Sequence, residues 1–403
     1  MRTPSPCAAI RRDARKKACV PARPVRGTAA NSKERKRFRR AEAVVRTMYE
    51  LNDKIRDLEP YEPIAGDYKI RLDANESFLY LPESVMASAL HSMFSVELNR
   101  YPDPTAKALC EAFARAYGVE PAHVAAGNGS DELISVIFQS FLQKGDVYAT
   151  IAPDFSMYDF YGYIAECRGV AIPKRDNWTI DVDKVIETCN NERVKLLIFS
   201  NPCNPTSLGL DREAVRRIVS GVSALVVLDE AYMDFWDEPM LPEAAAYDNL
   251  LVLKTCSKAF GLAALRVGFA VGSEKLIRAI KAVKSPYNVN ALSQRMAEVV
   301  LKSRGECGAA TRRILLSRDE LQAGLEQIAG QFAGQMEVVP SVANFVVVRT
   351  PQAEALFKKL LSVSIAVRYF KNLSALRITA GSTSENAAVL DHIRRFFEAN
   401  HEV

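Results

Sequence analysis

Lys258 lies in a segment whose residue types suit the binding of an anionic aldehyde. The segment, Thr255 to Leu262, reads TCSKAFGL and stands between two apolar runs that we predict to be buried strands. An amine can form an imine with an aldehyde, and nearby hydroxyls with the guanidinium of Arg266 can hold a phosphate. An exposed lysine in an ordinary loop after a strand has the same local pattern, so other segments of the chain are needed to distinguish a reactive lysine from an exposed one.

Two further polar groups follow predicted strands. Asp229 ends the apolar run Leu225 to Leu228, where a buried carboxylate needs a cationic partner such as a protonated pyridine nitrogen. Asn204 stands between two Asn-Pro steps, which stiffen the loop and present its amide at little entropic cost. An exposed carboxylate and a plain Asn-Pro turn are the respective alternatives.

Two more segments have the chemistry of anion binding. Gly127 to Asp131 opens a predicted helix, whose N-terminal amides suit a phosphate, although an ordinary helix start looks similar. Arg377 stands alone between apolar neighbours, as expected either of a bidentate clamp on a carboxylate or of a salt-bridged arginine on an edge strand.

The elements that must position these groups predict an α/β protein. Residues 127 to 350 alternate between strand-length and helix-length patterns, which indicates a mainly parallel sheet whose strand C-termini share one edge. The part after Pro286 is mostly helical from Asn290 to about Ala329 and then forms a smaller α+β unit. We expect four parts, which are a basic tail (1–47), an N-terminal arm joining the small domain (48–102), a large domain (103–289) and a small C-terminal domain (290–403).

Composition limits the classes of protein. The chain has 403 residues, 48% of them hydrophobic, and no apolar run long enough to span a bilayer. Its eight cysteines and four histidines form no close-spaced group, so we expect no metal site and a reduced, cytoplasmic chain.

The basic charge is local. Of the net charge of +5, residues 1–40 carry +12, which leaves −7 for the remainder. We interpret the tail as disordered, and it could be a nucleic-acid-binding arm, a transit peptide, or translated sequence upstream of a start near Met48.

These segments together resemble the fold-type I pyridoxal-phosphate enzymes of the aspartate aminotransferase superfamily, and within it the histidinol-phosphate aminotransferases. The similar phrases follow the family's order from about Met48 to the C-terminus: Leu72–Ser77, Arg100–Asp103, Gly129–Glu132, Asn201–Thr206, Asp229–Tyr232, Ser257–Gly268, Ala343–Phe345 and Leu376–Thr379. The resemblance implies a fold with a large, mainly parallel sheet flanked by helices and a smaller α+β domain.

The resemblance also implies roles at the cofactor ring. Lys258 would hold pyridoxal 5'-phosphate covalently and then move the proton at the substrate α-carbon. Asp229 would pair with the pyridine nitrogen, and Asn204 and Tyr232 would hydrogen-bond the 3' oxygen. Phe155 stands where the family usually has a tyrosine stacked on the ring.

Further implied residues hold the phosphate and the substrate. The phosphate cup would consist of Ser130, Asp131, Thr255, Ser257 and Arg266. Tyr101 would reach the neighbouring subunit's site, which implies a homodimer. Arg377 would bind the substrate α-carboxylate and Arg368 the substrate's phosphate, with Asn344 also at the substrate. The chain departs from the family at Ser207, where a glycine is usual.

The implied reaction interconverts L-histidinol phosphate and 2-oxoglutarate with imidazole-acetol phosphate and L-glutamate, in histidine biosynthesis. The alternatives are a threonine-phosphate decarboxylase, a broad-range or aromatic aminotransferase, and a transcription regulator that uses the tail to touch DNA. Only small-molecule partners and a second copy of the chain are expected, with neither nucleic acid nor membrane.

Overall fold

The computed structural model describes residues 49–60, 62 and 64–401. The predicted disordered tail and the proposed start at Met48 lie outside these residues. The chain divides into two units, residues 1–59 and 60–403. The described part of the first unit contains one helix of four residues, α1 (Asp53–Arg56). The second unit carries all the other elements and the whole candidate site.

The second unit consists of helices and strands in alternation. Its strands are β1 (Ile70–Leu72), β2 (Val124–Gly127), β3 (Val147–Ala152), β4 (Arg168–Pro173), β5 (Leu196–Ser200), β6 (Leu225–Asp229), β7 (Leu250–Thr255), β8 (Gly268–Gly272), β9 (Glu337–Val339), β10 (Phe345–Arg349), β11 (Ile365–Phe370) and β12 (Ala375–Thr379). Its helices are α2 (Glu83–Ser92), α3 (Lys107–Tyr117), α4 (Ser130–Phe141), α5 (Met157–Ile164), α6 (Val182–Asn191), α7 (Arg212–Gly221), α8 (Glu274–Val283), α9 (Ala291–Lys302), α10 (Arg304–Gln331), α11 (Ala353–Ser362) and α12 (Thr383–His401). Every helix within the described ranges is too short or too polar to span a bilayer.

The larger sheet has seven strands in the order β2-β8-β7-β6-β5-β3-β4. The pairs β3–β4, β3–β5, β5–β6 and β6–β7 are parallel, whereas β8 runs antiparallel to both of its neighbours. Because β2 and β7 are both antiparallel to β8, they point in the same direction. The C-terminal ends of β2, β5, β6 and β7 therefore meet at one edge of the sheet, as the sequence predicted.

This sheet is buried on both faces. In β6, Val226 and Leu228 pack into one apolar cluster, while Val227 packs into another on the opposite face. That alternation follows from the two-residue period of a strand. A sheet covered on both faces explains why its central strands read as continuous apolar runs.

The smaller sheet has five strands in the order β1-β11-β12-β10-β9. β1, from the predicted N-terminal arm, pairs in parallel with β11, and the other three pairings are antiparallel. Its core includes Leu321 and Leu325 of α10 together with Val389 and Ile393 of α12. The boundaries 48–102, 103–289 and 290–403 stay predictions.

Candidate active site

The Lys258 amine lies three residues beyond the end of β7. Its Nζ donates a hydrogen bond to the Ala74 carbonyl oxygen at 2.9 Å and stands 5.9 Å from the centre of the Tyr232 ring. Burial lowers the pKa of Lys258 to about 8, and the positive charge of Arg377 acts in the same direction. About one-tenth of this amine is therefore uncharged and nucleophilic at pH 7, and about half at pH 8.

Asp229 is a buried carboxylate at the end of β6. Its Oδ2 accepts a hydrogen bond from the Tyr158 hydroxyl at 2.9 Å, and its Oδ1 accepts one from the Ala231 amide at 3.0 Å. Burial raises the pKa of Asp229 to about 6, although both hydrogen bonds oppose the shift. A cation bound opposite this carboxylate would keep it ionised.

The predicted phosphate cup is assembled around Arg266. Its Nη1 donates to the Ser257 hydroxyl at 3.3 Å, and its Nη2 donates to the Asp131 carboxylate at 3.3 Å. The Thr255 hydroxyl donates to the Ser257 hydroxyl at 3.0 Å. A Cβ on Gly129 would stand 2.6 Å from Arg266 Nη2, so the glycine lets the guanidinium lie against the start of α4.

The start of α4 has no side-chain cap. Gly129 takes a positive φ of 82°, and Ser130 begins the helix. A Cβ on Gly268 would stand 2.4 Å from the Ser130 nitrogen, so β8 and the helix start approach as closely as two backbones can. The positive end of the helix dipole adds to the Arg266 charge, and this set of donors fits a phosphate.

Arg377 joins the two sheets at the site. Its Nη1 donates to the Asn204 Oδ1 at 2.5 Å, and its Nη2 donates to the Asp73 carbonyl at 2.6 Å. Arg368 is its direct register partner on β11, so the two arginines are neighbours across a strand pair. The structure thus brings the predicted carboxylate and phosphate ligands together beside Asn204.

Tyr232, Asn344 and Thr379 meet at Asn75. The Asn75 amide donates to the Tyr232 hydroxyl at 2.9 Å, and its backbone carbonyl accepts from Asn344 Nδ2 at 3.1 Å. The Asn75 backbone N–H donates to the Thr379 hydroxyl at 3.0 Å. The Asn344 Oδ1 is buried and has no hydrogen-bond partner among the described residues, which leaves one acceptor for a ligand.

Two other predicted residues lie in different surroundings. Phe155 packs edge-on against Tyr158, with ring centres 5.6 Å apart, beside the tyrosine that holds Asp229. Tyr101 is 81% exposed and stacks on Tyr287 at 4.6 Å. No contact in the described chain joins Tyr101 to the other predicted site residues.

Asn75, Thr379 and Tyr158 lie at this site but had no predicted role. Asn75 belongs to the Leu72–Ser77 phrase, but its left-handed φ of 54° and its three partners are tertiary features. Tyr158 lies on α5, four residues after Asp154. The nearby Pro153–Asp154 turn was the local signal that could have indicated Tyr158 as a site residue. Ser207, at the expected glycine position, adopts a φ of 63° and donates a hydrogen bond to the Pro340 carbonyl at 3.1 Å.

Two of the solved structures that share this fold are named as aminotransferases. Histidinol-phosphate aminotransferase from Sinorhizobium meliloti, solved in complex with pyridoxal-5'-phosphate, aligns with a TM-score of 0.77 at 23% identity, covering 87% of this chain and 99% of that one. Aspartate aminotransferase from Thermus thermophilus with maleate aligns with a TM-score of 0.75 at 20% identity, covering 86% and 100%. At these identities the likeness concerns the fold, and it confirms the predicted fold class.

Sequence comparison defines the family. The family described as "Aminotransferase class I and II" matches residues 67–393, and the chain belongs to that family. It is 38% identical to the histidinol-phosphate aminotransferase of Clostridium novyi (strain NT) over 343 residues, covering 84% of this chain and 95% of the relative. It is also 38% identical to that of Caldanaerobacter subterraneus subsp. tengcongensis over 348 residues, covering 85% and 97%. The resemblance inferred from the motifs is confirmed.

Proposed function

We propose that the chain is a pyridoxal-phosphate-dependent aminotransferase that interconverts L-histidinol phosphate and 2-oxoglutarate with imidazole-acetol phosphate and L-glutamate. The observation that carries this proposal is the Lys258 amine, with its pKa lowered to about 8, in one pocket with Arg266 and Arg377. The substrate is taken from the relatives, which are named histidinol-phosphate aminotransferases.

The residues present fit pyridoxal phosphate. The start of α4 after Gly129 would hold the phosphate together with Arg266, because the helix start and the guanidinium both supply N–H donors and positive charge to one point. Asp229 would face the pyridine nitrogen and Phe155 the ring, with Asn204 and Tyr232 toward the 3' oxygen. When bound, the cofactor supplies an electron sink for the carbanion formed at the substrate α-carbon.

Lys258 is the residue proposed to move the proton. Its amine, largely neutral above a pH of about 8, would take the proton from the substrate α-carbon and return it at the cofactor side. The Ala74 carbonyl accepts a hydrogen bond from this amine and would orient it before the reaction. The buried Asp229 would supply a negative charge to the pyridine nitrogen and would thereby favour electron withdrawal from the α-carbon.

The two neighbouring arginines would serve the two substrates. Arg377, held by Asn204 and by the Asp73 carbonyl, would bind the α-carboxylate of glutamate. Arg368, its register partner, would bind the phosphate ester of L-histidinol phosphate. The buried Asn344 Oδ1 would accept a hydrogen bond from the bound substrate.

A cytoplasmic homodimer is part of the proposal. Phe94, Leu98 and Tyr101, which lie close together in the sequence, are 88%, 82% and 81% exposed, and large apolar side chains left exposed in one segment favour a protein–protein interface. Tyr101, stacked on Tyr287, would reach the partner's cofactor phosphate. Sedimentation velocity on the chain and on a Phe94→Glu variant tests this, since a wild-type monomer would exclude it.

The activity is tested by following glutamate formation from L-histidinol phosphate and 2-oxoglutarate. We expect Lys258→Ala to lose at least about a thousandfold in rate while keeping its fold, because general acid–base catalysis and covalent attachment both depend on this amine. Lys281→Ala, on the exposed face of α8, is the matched control and should keep full activity. Full activity in Lys258→Ala, or carbon dioxide release from threonine phosphate in place of glutamate formation, would overturn the proposal.

A further inference from the structure

A second cavity lies away from the site described above. It has a volume of about 570 Å³ and opens where α3 meets the end of α9 and the start of α10. Four cationic side chains line it, and none of the described residues in its lining is acidic: Arg115, Lys302, Arg304 and Arg312. Its volume falls in the range of small-molecule sites.

Within the described part of the chain, two of these four charges have partners and two have none. Lys302 forms an ion pair with Glu298, and Arg304 stacks on the Tyr117 ring at 4.0 Å. Arg115 and Arg312 form neither a hydrogen bond nor an ion pair within the described part of the chain. The cavity therefore presents two guanidinium groups whose donors are available to a ligand.

Three helix ends meet at this cavity. α10 runs for 28 residues from Arg304, and no side chain caps its N-terminus. A Cβ placed on Gly305 would meet nothing within 4 Å, so the backbone of the first turn is open to a close approach. The C-terminal ends of α3 and α9 lie at the same cavity, and Arg304 donates a hydrogen bond to the Ala116 carbonyl at the end of α3. Because these ends carry opposite partial charges, the positive potential of the cavity comes from the cationic side chains.

We propose that this cavity binds a small phosphorylated anion, with Arg115 and Arg312 as its principal ligands. The planar fork of a guanidinium matches phosphate oxygens in a bidentate manner. The concave shape suits a small ligand rather than a nucleic acid, and the net charge of −7 outside the N-terminal tail opposes general polyanion binding.

Arg304 is unsuitable for the test because it also supports the interior. Its Nη2 lies 3.7 Å from Asp234, which forms a 2.8 Å ion pair with the buried Lys254 on β7. Removing Arg304 would leave buried charges poorly compensated. The test therefore changes Arg115 and Arg312 only.

Titration calorimetry with inorganic pyrophosphate tests the site. The full chain is saturated with pyridoxal phosphate and desalted, so that the phosphate cup is filled before pyrophosphate is added. We expect saturable binding that weakens by about tenfold or more in the double variant Arg115→Ala/Arg312→Ala, since charged hydrogen bonds are lost. Arg278→Ala, an exposed arginine on α8, should bind as the wild type does, and Arg368→Ala should keep the binding that depends on Arg115 and Arg312.

Three results would overturn the proposal. One is the absence of saturable binding to the wild type. Another is equal binding by the double variant, with circular dichroism showing that all variants are folded. Loss of binding in Arg368→Ala alone would assign the ion to the substrate site and would likewise refute it.

Discussion

The hydroxyl of Tyr158 controls the charge of Asp229, and removing it tests that control. Tyr158 is fully buried, and its hydroxyl donates to Asp229 Oδ2 at 2.9 Å. This bond favours the carboxylate over the carboxylic acid and opposes the effect of burial, which raises the pKa of Asp229 to about 6. In Tyr158→Phe the carboxylate loses that donor while the packing changes little.

The magnitude follows from the difference between the two protonation states. A hydrogen bond to a charged group contributes about 1.5–3 kcal/mol and one between neutral groups about 0.5–1.5 kcal/mol, so the ionised form loses about 1 kcal/mol more. At 1.36 kcal/mol per unit, the pKa of Asp229 rises by about one unit in the variant. At pH 6 about half of the wild-type carboxyl is ionised, against about one-tenth in the variant.

The assay is the affinity of cofactor-free protein for pyridoxal phosphate between pH 5.5 and 8.5, measured by absorbance. Because only ionised Asp229 can pair with a cationic ring nitrogen, we expect affinity in Tyr158→Phe to fall about fivefold relative to the wild type at pH 6 and hardly at all at pH 8. The ligand's own titration is common to both proteins. Tyr163→Phe, on the exposed side of α5, is the matched control.

An equal loss of affinity at pH 6 and at pH 8 would refute this reasoning, since it would indicate a packing effect. An unchanged affinity at pH 6 would also refute it, because the Asp229 charge would then not depend on the hydroxyl.

Three other predictions concern Ser207, Lys258 and Gly268. Ser207→Ala should have a lower melting temperature than Ser207→Gly. Both variants lose the hydrogen bond to Pro340, but only alanine keeps the strain of about 1 kcal/mol of a left-handed backbone. Equal melting temperatures would contradict this prediction. The rate at which cofactor-free protein captures pyridoxal phosphate should rise with pH and level off above about 8, as the Lys258 amine loses its proton, and a rise continuing to pH 10 would exclude the lowered pKa. Gly268→Ala should weaken cofactor binding, measured by equilibrium dialysis, by about tenfold or more, because its Cβ would clash with the Ser130 nitrogen. The control Gly330→Ala, with open space around its Cβ, should bind the cofactor as the wild type does.

The central strands could be predicted because their burial leaves a strong local pattern. β6 and β7 read as apolar runs that end in polar residues, and those ends, Asp229 and Thr255, lie at the functional edge of the sheet. By contrast, β2 consists of Val-Ala-Ala-Gly and β4, an edge strand, of Arg-Gly-Val-Ala-Ile-Pro, so both are rich in the small residues and in the Gly and Pro that are depleted in strands. Tertiary pairing, rather than local preference, makes them strands.

The site residues divide in the same way. Lys258 and Arg266 could be selected from residue type and spacing, since each belongs to a segment with its own chemical pattern. Asn75 could not, because its partners Tyr232 and Thr379 are 157 and 304 positions away and its backbone conformation depends on them. Hydrogen bonds over such separations leave no trace in a local window.

Burial also explains why one pocket holds both an available base and an available acid near neutral pH. Removal from water disfavours any charge, so it lowers the pKa of the Lys258 amine to about 8 and raises that of the Asp229 carboxyl to about 6. Neighbouring groups then change the size of each shift: the Tyr158 hydrogen bond opposes the rise at the carboxyl, and the positive charge of Arg377 adds to the lowering at the amine. A ligand with a cationic nitrogen and an anionic phosphate would reverse the cost at Asp229 and use the charge of Arg266. The buried charges of the pocket are therefore poorly compensated when it is empty and well compensated when such a ligand is bound. Cofactor binding should raise the free energy of unfolding most strongly where Asp229 is ionised, above a pH of about 6.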